Sequence, residues 1–585
     1  MKEKTLLLGN EAVARGLYEA GCKFVSSYPG TPSTEITEKA ALYDEIFTEW
    51  APNEKVACEA AFGACVAGAR SFCAMKHVGL NVAADPLFTS SYTGVNAGFV
   101  IAVADDPSMH SSQNEQDSRH YALAAKLPML EPSDSDECLN FVKRAYEISE
   151  KFDTPVLLRL STRIAHSQSL TVLSERHNDT LREYSKNDEK FVMKPANAVK
   201  RHPVVEKRLE LLREYAASCD LNKIIDNGSD TGIITAGTCF NYALEVFGDS
   251  VSYLKLGVIN PISEKLIKDF SEKFEKIIVI EELDGFIESF CKSIGVNCEG
   301  KSYTGYIGEL SQERVAEVFL GRKPDCTALD EQLPVRPPIM CPGCPHRGTF
   351  YVLKKLGISV MGDIGCYTLG SAPPLGAVDT VLCMGASVSM LHGFNSVRPD
   401  ETHSRVAVIG DSTFVHSGIT SLIDIVYNKS ISTVLILDNN ITGMTGHQQN
   451  PCTGLTIKEQ PTKALSLEKV CEACGIDRVF VVDPNNMDEL EALLKRELDE
   501  DQPSVIIVRR PCALLKCVSK TTVNVVDTDK CRSCRSCMRI GCPALHMENK
   551  KAVIDPTLCI GCRLCEQMCT FGAIINKDKR EVLQK

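Results

Sequence analysis

Eight cysteines crowded between Cys531 and Cys569 constrain this chain more than any other feature. They read Cys531-x2-Cys534-x2-Cys537-x4-Cys542-Pro543 and then Cys559-x2-Cys562-x2-Cys565-x3-Cys569, the same run repeated after 28 residues. Triplets at x2-x2 spacing followed by a fourth cysteine are the thiolate sets that hold iron–sulfur clusters. Zinc sites pair CxxC units and do not use CxxCxxC triplets twice. The chain has 27 cysteines in 585 residues, and the 19 outside this run are spread over the preceding 530. A disulfide scaffold would be short and would carry a secretion signal. This chain is long and its N-terminal apolar run is too short for one, so the cysteines read as reduced thiols and metal ligands in a reducing, anaerobic cytoplasm.

The duplicated run resembles the two-cluster bacterial ferredoxins, in which the fourth cysteine of each run ligates the other cluster. That resemblance implies one [4Fe–4S] cluster on Cys531, Cys534, Cys537 and Cys569, and a second on Cys542, Cys559, Cys562 and Cys565. The x4 gap before Cys542, where x3 is usual, distorts the first loop slightly and leaves the ligand count unchanged.

The rest of the chain is ordinary in composition, with 44% hydrophobic and 24% charged residues, as in globular proteins. A net charge of −12 argues against nucleic acid as a main partner, which would need a basic face. No run of 18 apolar residues is present, so no membrane span is expected. The length suggests several domains.

Residues 406–448 carry the second strong signal, VAVIGDSTFVHSGITSLIDIVYNKSISTVLILDNNITGMTGHQ. An apolar strand over Val406–Ile409 turns at Gly410-Asp411-Ser412, a helical pattern follows, and a second strand over Thr433–Leu437 ends in Asp438-Asn439-Asn440. In a parallel sheet the two strand ends meet at the carboxyl edge, where α/β sheets hold ligands. A carboxylate and a carboxamide there suit Mg²⁺, which prefers oxygen and completes its shell with substrate phosphates. The pattern resembles the thiamine diphosphate motif, GDG followed about 25 residues later by NN; here 26 residues separate Ser412 from Asn439. Serine replaces the motif's last glycine. The bland alternative is a strand–turn–helix with an N-capping Asp or Ser.

Residues 1 to about 180 alternate strand and helix patterns, with Thr5–Leu8 as a first strand. A second strand, Lys23–Ser26, ends in the turn Tyr28-Pro29-Gly30-Thr31-Pro32-Ser33, which leads into a capped helix. Thr31 is a cofactor-pocket candidate there, beside a helix N-terminus that would seat a carboxylate; a plain capped turn explains the spacing as well. Glu59 heads a run of small residues (Ala60, Ala61, Gly63, Ala64), so a buried carboxyl with a raised pKa is expected at that position. Glu54 is the competing candidate. His77, in the strand-end loop Lys76–Asn81, is a weaker pocket candidate. The polar run Asp105–Arg119 is long for a connector and therefore a candidate functional loop. A charged linker with an exposed helix near Val204–Ala217 precedes a second α/β unit, which ends near Cys326. Gln332–Pro338 then forms a stiff proline-rich connector.

The next domain opens with Cys341-Pro342-Gly343-Cys344-Pro345-His346-Arg347, and Cys366 follows. Three cysteines are weak evidence for a metal, and Cys452 is the best available fourth; a tight loop over the cofactor is the alternative. Met384, in a small-residue loop, is a candidate for the apolar residue that bends the cofactor, and it is equally a candidate for the core.

Thiamine chemistry turns a 2-oxoacid into a carbanion that surrenders electrons singly, and one-electron clusters on the same chain meet that need. Over essentially its whole length the chain resembles the 2-oxoacid:ferredoxin oxidoreductases, and among them the large-subunit type that acts on arylpyruvates. The resemblance implies an α/β fold of four parts. These are a pyrimidine-binding-type domain (1–180), a linker and middle α/β domain (181–330), a diphosphate- and Mg²⁺-binding domain (331–520) and a two-cluster ferredoxin-like α+β domain (521–585). The first and third are doubly wound and enclose the cofactor within one chain or across a dimer. It implies thiamine diphosphate, Mg²⁺ and two [4Fe–4S] clusters as cofactors. Gly410, Asp411 and Ser412 would form the cofactor turn, and Asp411 and Asn439 would bind Mg²⁺ by side chain and Ile441 by its carbonyl. Glu59 would activate the cofactor. The partners implied are a smaller β subunit in an α2β2-type assembly, ferredoxin, the 2-oxoacid and coenzyme A.

Overall fold

A computed structural model of the chain describes residues 4–177, 180–323, 331–334 and 336–583. The expected end of the middle domain at Cys326, and Val335 of the proline-rich connector, lie outside them. The chain divides into two compact units, Met1–Asp330 and Glu331–Lys585.

The first unit is built on a seven-stranded sheet. Its spatial order is Val258–Asn260, Met129–Leu130, Val156–Ser161, Phe99–Asp105, Ser71–Lys76, Phe24–Ser27 and Phe47–Trp50. All neighbours are parallel except the first pair. The central strand Phe99–Asp105 is buried along its whole length, as a parallel strand covered by helices on both faces must be. One face packs against the helices Gly9–Glu19 and Ser135–Phe152, the other against Glu54–Val66 and the elements that follow it. A four-stranded sheet, ordered Lys276–Ile280, Thr231–Ala236, Ser252–Leu256 and Lys223–Ile225, completes this unit.

Three expectations change here. The strand Lys4–Leu8 does not join the main sheet; it pairs antiparallel with Gln168–Val172 as a separate two-stranded ribbon. The sequence segment assigned to the middle domain supplies Val258–Asn260 to the first domain's sheet, so the two are fused rather than linked in series. The helix Pro195–Ser218, expected to be exposed, buries Val205, Leu209, Leu212 and Ala216. These fall three or four residues apart, the spacing of one helical face.

Buried charge crosses the same junction. The guanidinium of Arg119 donates to Glu281 at 2.7 Å and to the carbonyls of Glu282 and Asp284. Arg159 bridges Asp105 and Glu131, each at 2.7 Å. Removing one member of such a network leaves an uncompensated buried charge, which costs about 3–5 kcal/mol.

The second unit is a five-stranded, wholly parallel sheet ordered Ser359–Met361, Arg405–Gly410, Thr433–Asp438, Ser504–Arg509 and Arg478–Val482. The C-terminal segment adds two antiparallel ribbons, Thr522–Val526 with Ile574–Asp578 and Leu545–Glu548 with Lys551–Ile554. It shares a hydrophobic core with the sheet domain through Met340, Phe350, Ile540, Leu564 and Met568. Among the described residues, no helix is long and apolar enough to cross a membrane.

Leu212, 2% exposed, reports on the unexpected docking of its helix. Leu212→Ala is expected to lower unfolding stability by about 2–4 kcal/mol, measured by denaturant titration of the first unit's transition. An exposed helix would show a change below about 0.5 kcal/mol.

Candidate active site

The parallel register builds the first half of the site. Gly410 pairs with Leu437, so Asp411 and Asp438 leave the sheet side by side and Asn439 follows one residue on. Desolvation, reinforced by the charge of Asp438, pushes the Asp411 carboxyl up to about 7. Asp438 is neutralised by Arg509 at 2.6 Å. Among the described residues Asp411 has no cationic partner, and its one polar side-chain contact is Asn450 Nδ2 at 3.2 Å. A buried carboxylate facing a second carboxylate and a carboxamide is a donor set that fits a hard divalent cation.

Around it, Asn439 Oδ1 accepts the Ile441 N–H at 3.2 Å and the Asn439 carbonyl accepts the Cys512 N–H at 2.9 Å. Ser412 is buried and its Oγ accepts from Thr442 Oγ1 at 3.0 Å, so the serine fits the turn without disturbing it. Gly410 answers a packing demand: a Cβ there would lie 2.5 Å from Tyr367. The helix that follows is interrupted by a π-helical turn, Phe414–Gly418, a device common at functional sites. Asn450 and Thr442, which sequence reasoning missed, complete this polar ring; isolated Asn and Thr residues in a loop carry no spacing signal.

Met384 is half-buried, and the turn it occupies is pinned from below. The buried Asp363 carboxylate accepts the N–H groups of Ile364, Gly385 and Ser387 at 2.8–2.9 Å. Gly385 is left-handed (φ 84°), and a Cβ would meet Ser417 at 2.4 Å, so only glycine holds Met384 in this place.

In the first unit, the burial expected of Glu59 is found at Glu54 instead. Glu59 lies on the outer face of the helix Glu54–Val66; its side chain is 48% exposed and paired with Lys55. Small neighbours do not bury a carboxylate when the helix turns it to solvent. Glu54, one helical turn earlier, is 4% exposed. It sits in the first turn, where Asn53 caps the helix by accepting the Val56 N–H. A Cβ on Gly79 would fall 2.6 Å from Glu54 Oε1. The segment expected as a strand-end loop is the helix His77–Val82, and its Gly79 makes room for this carboxylate, a role invisible without the fold.

Glu54 shares its surroundings with the other strand-end loops. Lys76 is buried, which lowers its pKa, while Asp106 and Glu54 oppose that shift; its Nζ donates to the Ser111 carbonyl at 2.8 Å. Gly30, beside Thr31, packs against Lys76. The helix after this turn begins at Thr34, but the expected side-chain cap is not made, since Ser33 Oγ donates to the Gly30 carbonyl; Thr31 is only partly buried. His77 is buried, its pKa is lowered by that burial, and Nε2 lies 3.1 Å from the Asn114 carbonyl. The polar run after Asp105 folds over these groups: Asp106 accepts Ser111 N–H at 2.8 Å and Ser112 Oγ at 2.6 Å.

The eight C-terminal cysteines sort into two cavities. Cys531, Cys534, Cys537 and Cys569 line one, and Cys542, Cys559, Cys562 and Cys565 line the other. Each cavity thus takes three cysteines from one run and one from the other. Backbone and side-chain N–H groups aim at the sulfurs: Asn524 N to Cys559 at 3.3 Å, Asn524 Nδ2 to Cys565 at 3.1 Å, and Ala573 N to Cys569 at 3.3 Å.

The Cys341–Arg347 segment borders the second of these cavities. Pro342, Gly343 and Arg347 wall the second cavity, and buried Arg347 donates to the carbonyls of Ile540, Gly541, Met340 and Cys341. Burial, then the neighbouring Cys512 and Cys341, push the Cys366 thiol up to about 11. Cys366 Sγ and Asn439 Nδ2 both border the space beside Gly443. Cys452, the expected fourth partner, stands instead beside Asp411 and Asp438; Cys512 takes its place near Cys341 and Cys366.

Comparison with known proteins agrees with this geometry. Residues 15–216 match the family "Pyruvate flavodoxin/ferredoxin oxidoreductase, thiamine diP-bdg", residues 363–508 match "Thiamine pyrophosphate enzyme, C-terminal TPP binding domain", and residues 552–575 match "4Fe-4S binding domain". Fold and site together define a thiamine diphosphate-binding, iron–sulfur-bearing oxidoreductase chain of the 2-oxoacid:ferredoxin type. The indolepyruvate oxidoreductase subunit IorA of Archaeoglobus fulgidus is 40% identical, covering 98% of this chain and 97% of its own length. The subunits from Methanothermobacter marburgensis (40%, covering 99% and 98%) and Pyrococcus horikoshii (38%, covering 98% and 96%) are similar to it in the same way. This chain belongs to the indolepyruvate oxidoreductase subunit IorA family.

Asp411 yields a pH prediction. Its folded pKa, about 7, lies above the unfolded value of about 3.9. In metal-free protein it therefore contributes stability that is present below pH ~4 and lost as pH rises through about 7. Thermal unfolding of metal-free protein should show this decline, metal-free Asp411→Asn should lack it, and saturating Mg²⁺ should abolish it in the wild type by binding the ionised form.

Proposed function

We propose that this chain is the catalytic, cluster-bearing subunit of an enzyme that oxidatively decarboxylates arylpyruvates such as indolepyruvate. The overall reaction is 2-oxoacid anion + coenzyme A + 2 oxidised ferredoxin → acyl-CoA + CO2 + 2 reduced ferredoxin + H⁺. The observation that carries this reading is the lay-out of the second unit. The buried strand-end residues Asp411 and Asn439 belong to the same compact body as two four-cysteine cavities, one of them walled by Pro342, Gly343 and Arg347. A decarboxylase that released an aldehyde would have no use for the cysteines. The aryl preference rests on the relatives' names.

In this reading Asp411 and Asn439 hold Mg²⁺ by side chain and Ile441 by its carbonyl, with Asn450 orienting Asp411. Gly410 and Ser412 would form the cofactor turn and Met384 would support the ring system, while Thr31 would contribute from the first unit. Bound thiamine diphosphate would supply the carbon nucleophile and the electron sink for decarboxylation. Glu54 has the burial suited to hydrogen-bonding the pyrimidine nitrogen and exchanging its proton, a role Glu59 cannot fill from the helix's outer face.

The eight cysteines would bind two [4Fe–4S] clusters in crosswise fashion. Cys341, Cys344, Cys366 and Cys512 would hold a third metal–sulfur centre, which supplies a relay between the cofactor end of the sheet and the cavity at Cys542. A smaller second subunit, coenzyme A and ferredoxin complete the system as an α2β2-type assembly in the cytoplasm.

Two measurements test the reading. Glu54→Gln should cut viologen-linked oxidation of indolepyruvate or phenylpyruvate by about 10²–10⁴-fold while iron content and visible absorbance stay at wild-type levels; Glu59→Gln should retain most activity. Equal activity in both variants, or a clear preference for pyruvate, would refute the assignment. Iron analysis after anaerobic purification separates two four-iron centres from three, and Cys512→Ala should remove only the third.

A further inference from the structure

The two halves of the cysteine repeat are not equivalent in their surroundings. The cavity at Cys542, Cys559, Cys562 and Cys565 is walled by Pro342, Gly343 and Arg347 of the sheet domain. The cavity at Cys531, Cys534, Cys537 and Cys569 has no wall from that domain. It is lined by Arg532, Arg535 and Phe571 together with the cysteines and residues of the tail itself. Cys534 is exposed, as are Arg532, Arg535 and Arg539, and Phe571 is 51% exposed. The sheet domain walls one ring of cysteines, and the other carries the exposed one of the eight, Cys534.

Charge follows the same division. The chain carries −12 overall, yet residues 521–585 hold eleven Lys and Arg against seven Asp and Glu, a local net charge of +4. The repeat shows where that excess is left unneutralised. Arg535 and Arg563 occupy equivalent places in the two CxxCxxC loops, and both are left-handed, at φ 59° and 65°. Arg563 pairs with Glu566 at 3.0 Å, three residues on. At the equivalent place after Arg535 the residue is Met538. Among the described residues, Arg532, Arg535 and Arg539 have no carboxylate within ion-pairing distance.

We infer that electrons leave this chain through the Cys531/Cys534/Cys537/Cys569 centre to a small acidic iron–sulfur protein. That protein docks on Arg532, Arg535 and Phe571, which border the cavity, together with Arg539, whose charge acts on the exposed Cys534. The inference rests on the proposed cluster assignment and adds the exit point and the partner's charge. A patch of three unneutralised guanidinium groups steers an acidic partner by long-range attraction, and that attraction weakens with salt. Arginine and exposed aromatic residues are favoured in interface centres. Transient redox encounters bury little area, so a patch of this size suffices. One electron passes per encounter, that centre being oxidised and the partner reduced, so each 2-oxoacid oxidised drives two encounters.

The test uses the holoenzyme with its partner subunit and a small acidic ferredoxin. Substrate-dependent bleaching of the cluster absorbance, with no added acceptor, checks the parent reading by itself. For docking, the wild-type KM for ferredoxin should rise steeply with ionic strength. The double variant Arg532→Glu/Arg539→Glu should raise KM at low salt by roughly tenfold and flatten the salt dependence, and it should reduce the basic carrier cytochrome c better than wild type does. Should the charge reversal cost iron, Arg532→Gln/Arg539→Gln decides by the same KM readout. Bleaching that is intact with an unchanged ferredoxin KM overturns the docking site alone. Loss of the small subunit from the variant on gel filtration also overturns it, since the patch would then be a subunit contact.

Discussion

The second unit depends on gathering negative charge out of water. Asp411 meets Asp438 at adjacent strand ends, and eight thiols converge on two cavities. Carboxylates and thiolates brought together in this way repel one another and lose hydration, and the rise of Asp411 to about 7 expresses that cost in the free protein. Bound cations reverse its sign: each turns a repulsive cluster into a set of ligands, so that binding free energy becomes folding free energy. Proton uptake, metal loading and stability are therefore linked through the same side chains.

The first unit solves a different problem. Its buried charges are balanced internally, with Arg119 and Arg159 set among Asp105, Asp117, Glu131 and Glu281. The fusion of the middle segment to the first sheet through Val258–Asn260 brings these partners together from distant parts of the chain. Within that frame Glu54 is held at a helix start, with a glycine opposite it to give it room. A rigid surround suits the role proposed for this carboxyl, which requires one hydrogen bond kept in one place.

Much of the architecture was legible in the residues. The strands Val406–Ile409 and Thr433–Leu437 read directly from apolar runs bounded by turn residues, because a doubly covered parallel strand must be apolar on both faces. Other features were not. Lys4–Leu8 has the composition of a sheet strand and ended in a ribbon, since period and propensity do not specify a partner. Glu59 was favoured over Glu54 on its small neighbours, yet which face of a helix meets the core is set by packing. Cys452 and Cys512 are alike as letters; only the return of the Ser504–Arg509 strand to the sheet brings Cys512 beside Cys341.

By itself, the sequence determined the chemistry: cysteine spacing and the Gly410–Asn439 interval follow from local covalent geometry, in which a short loop presents thiols or a strand end presents oxygens. The tertiary structure decided assignments that depend on residues far apart in the chain. It set Asp411 against Asp438, buried Glu54 and exposed Glu59, and left Cys534 exposed while the sheet domain walled the other cysteine ring. Those outcomes depend on burial and on long-range contacts, which no local pattern encodes.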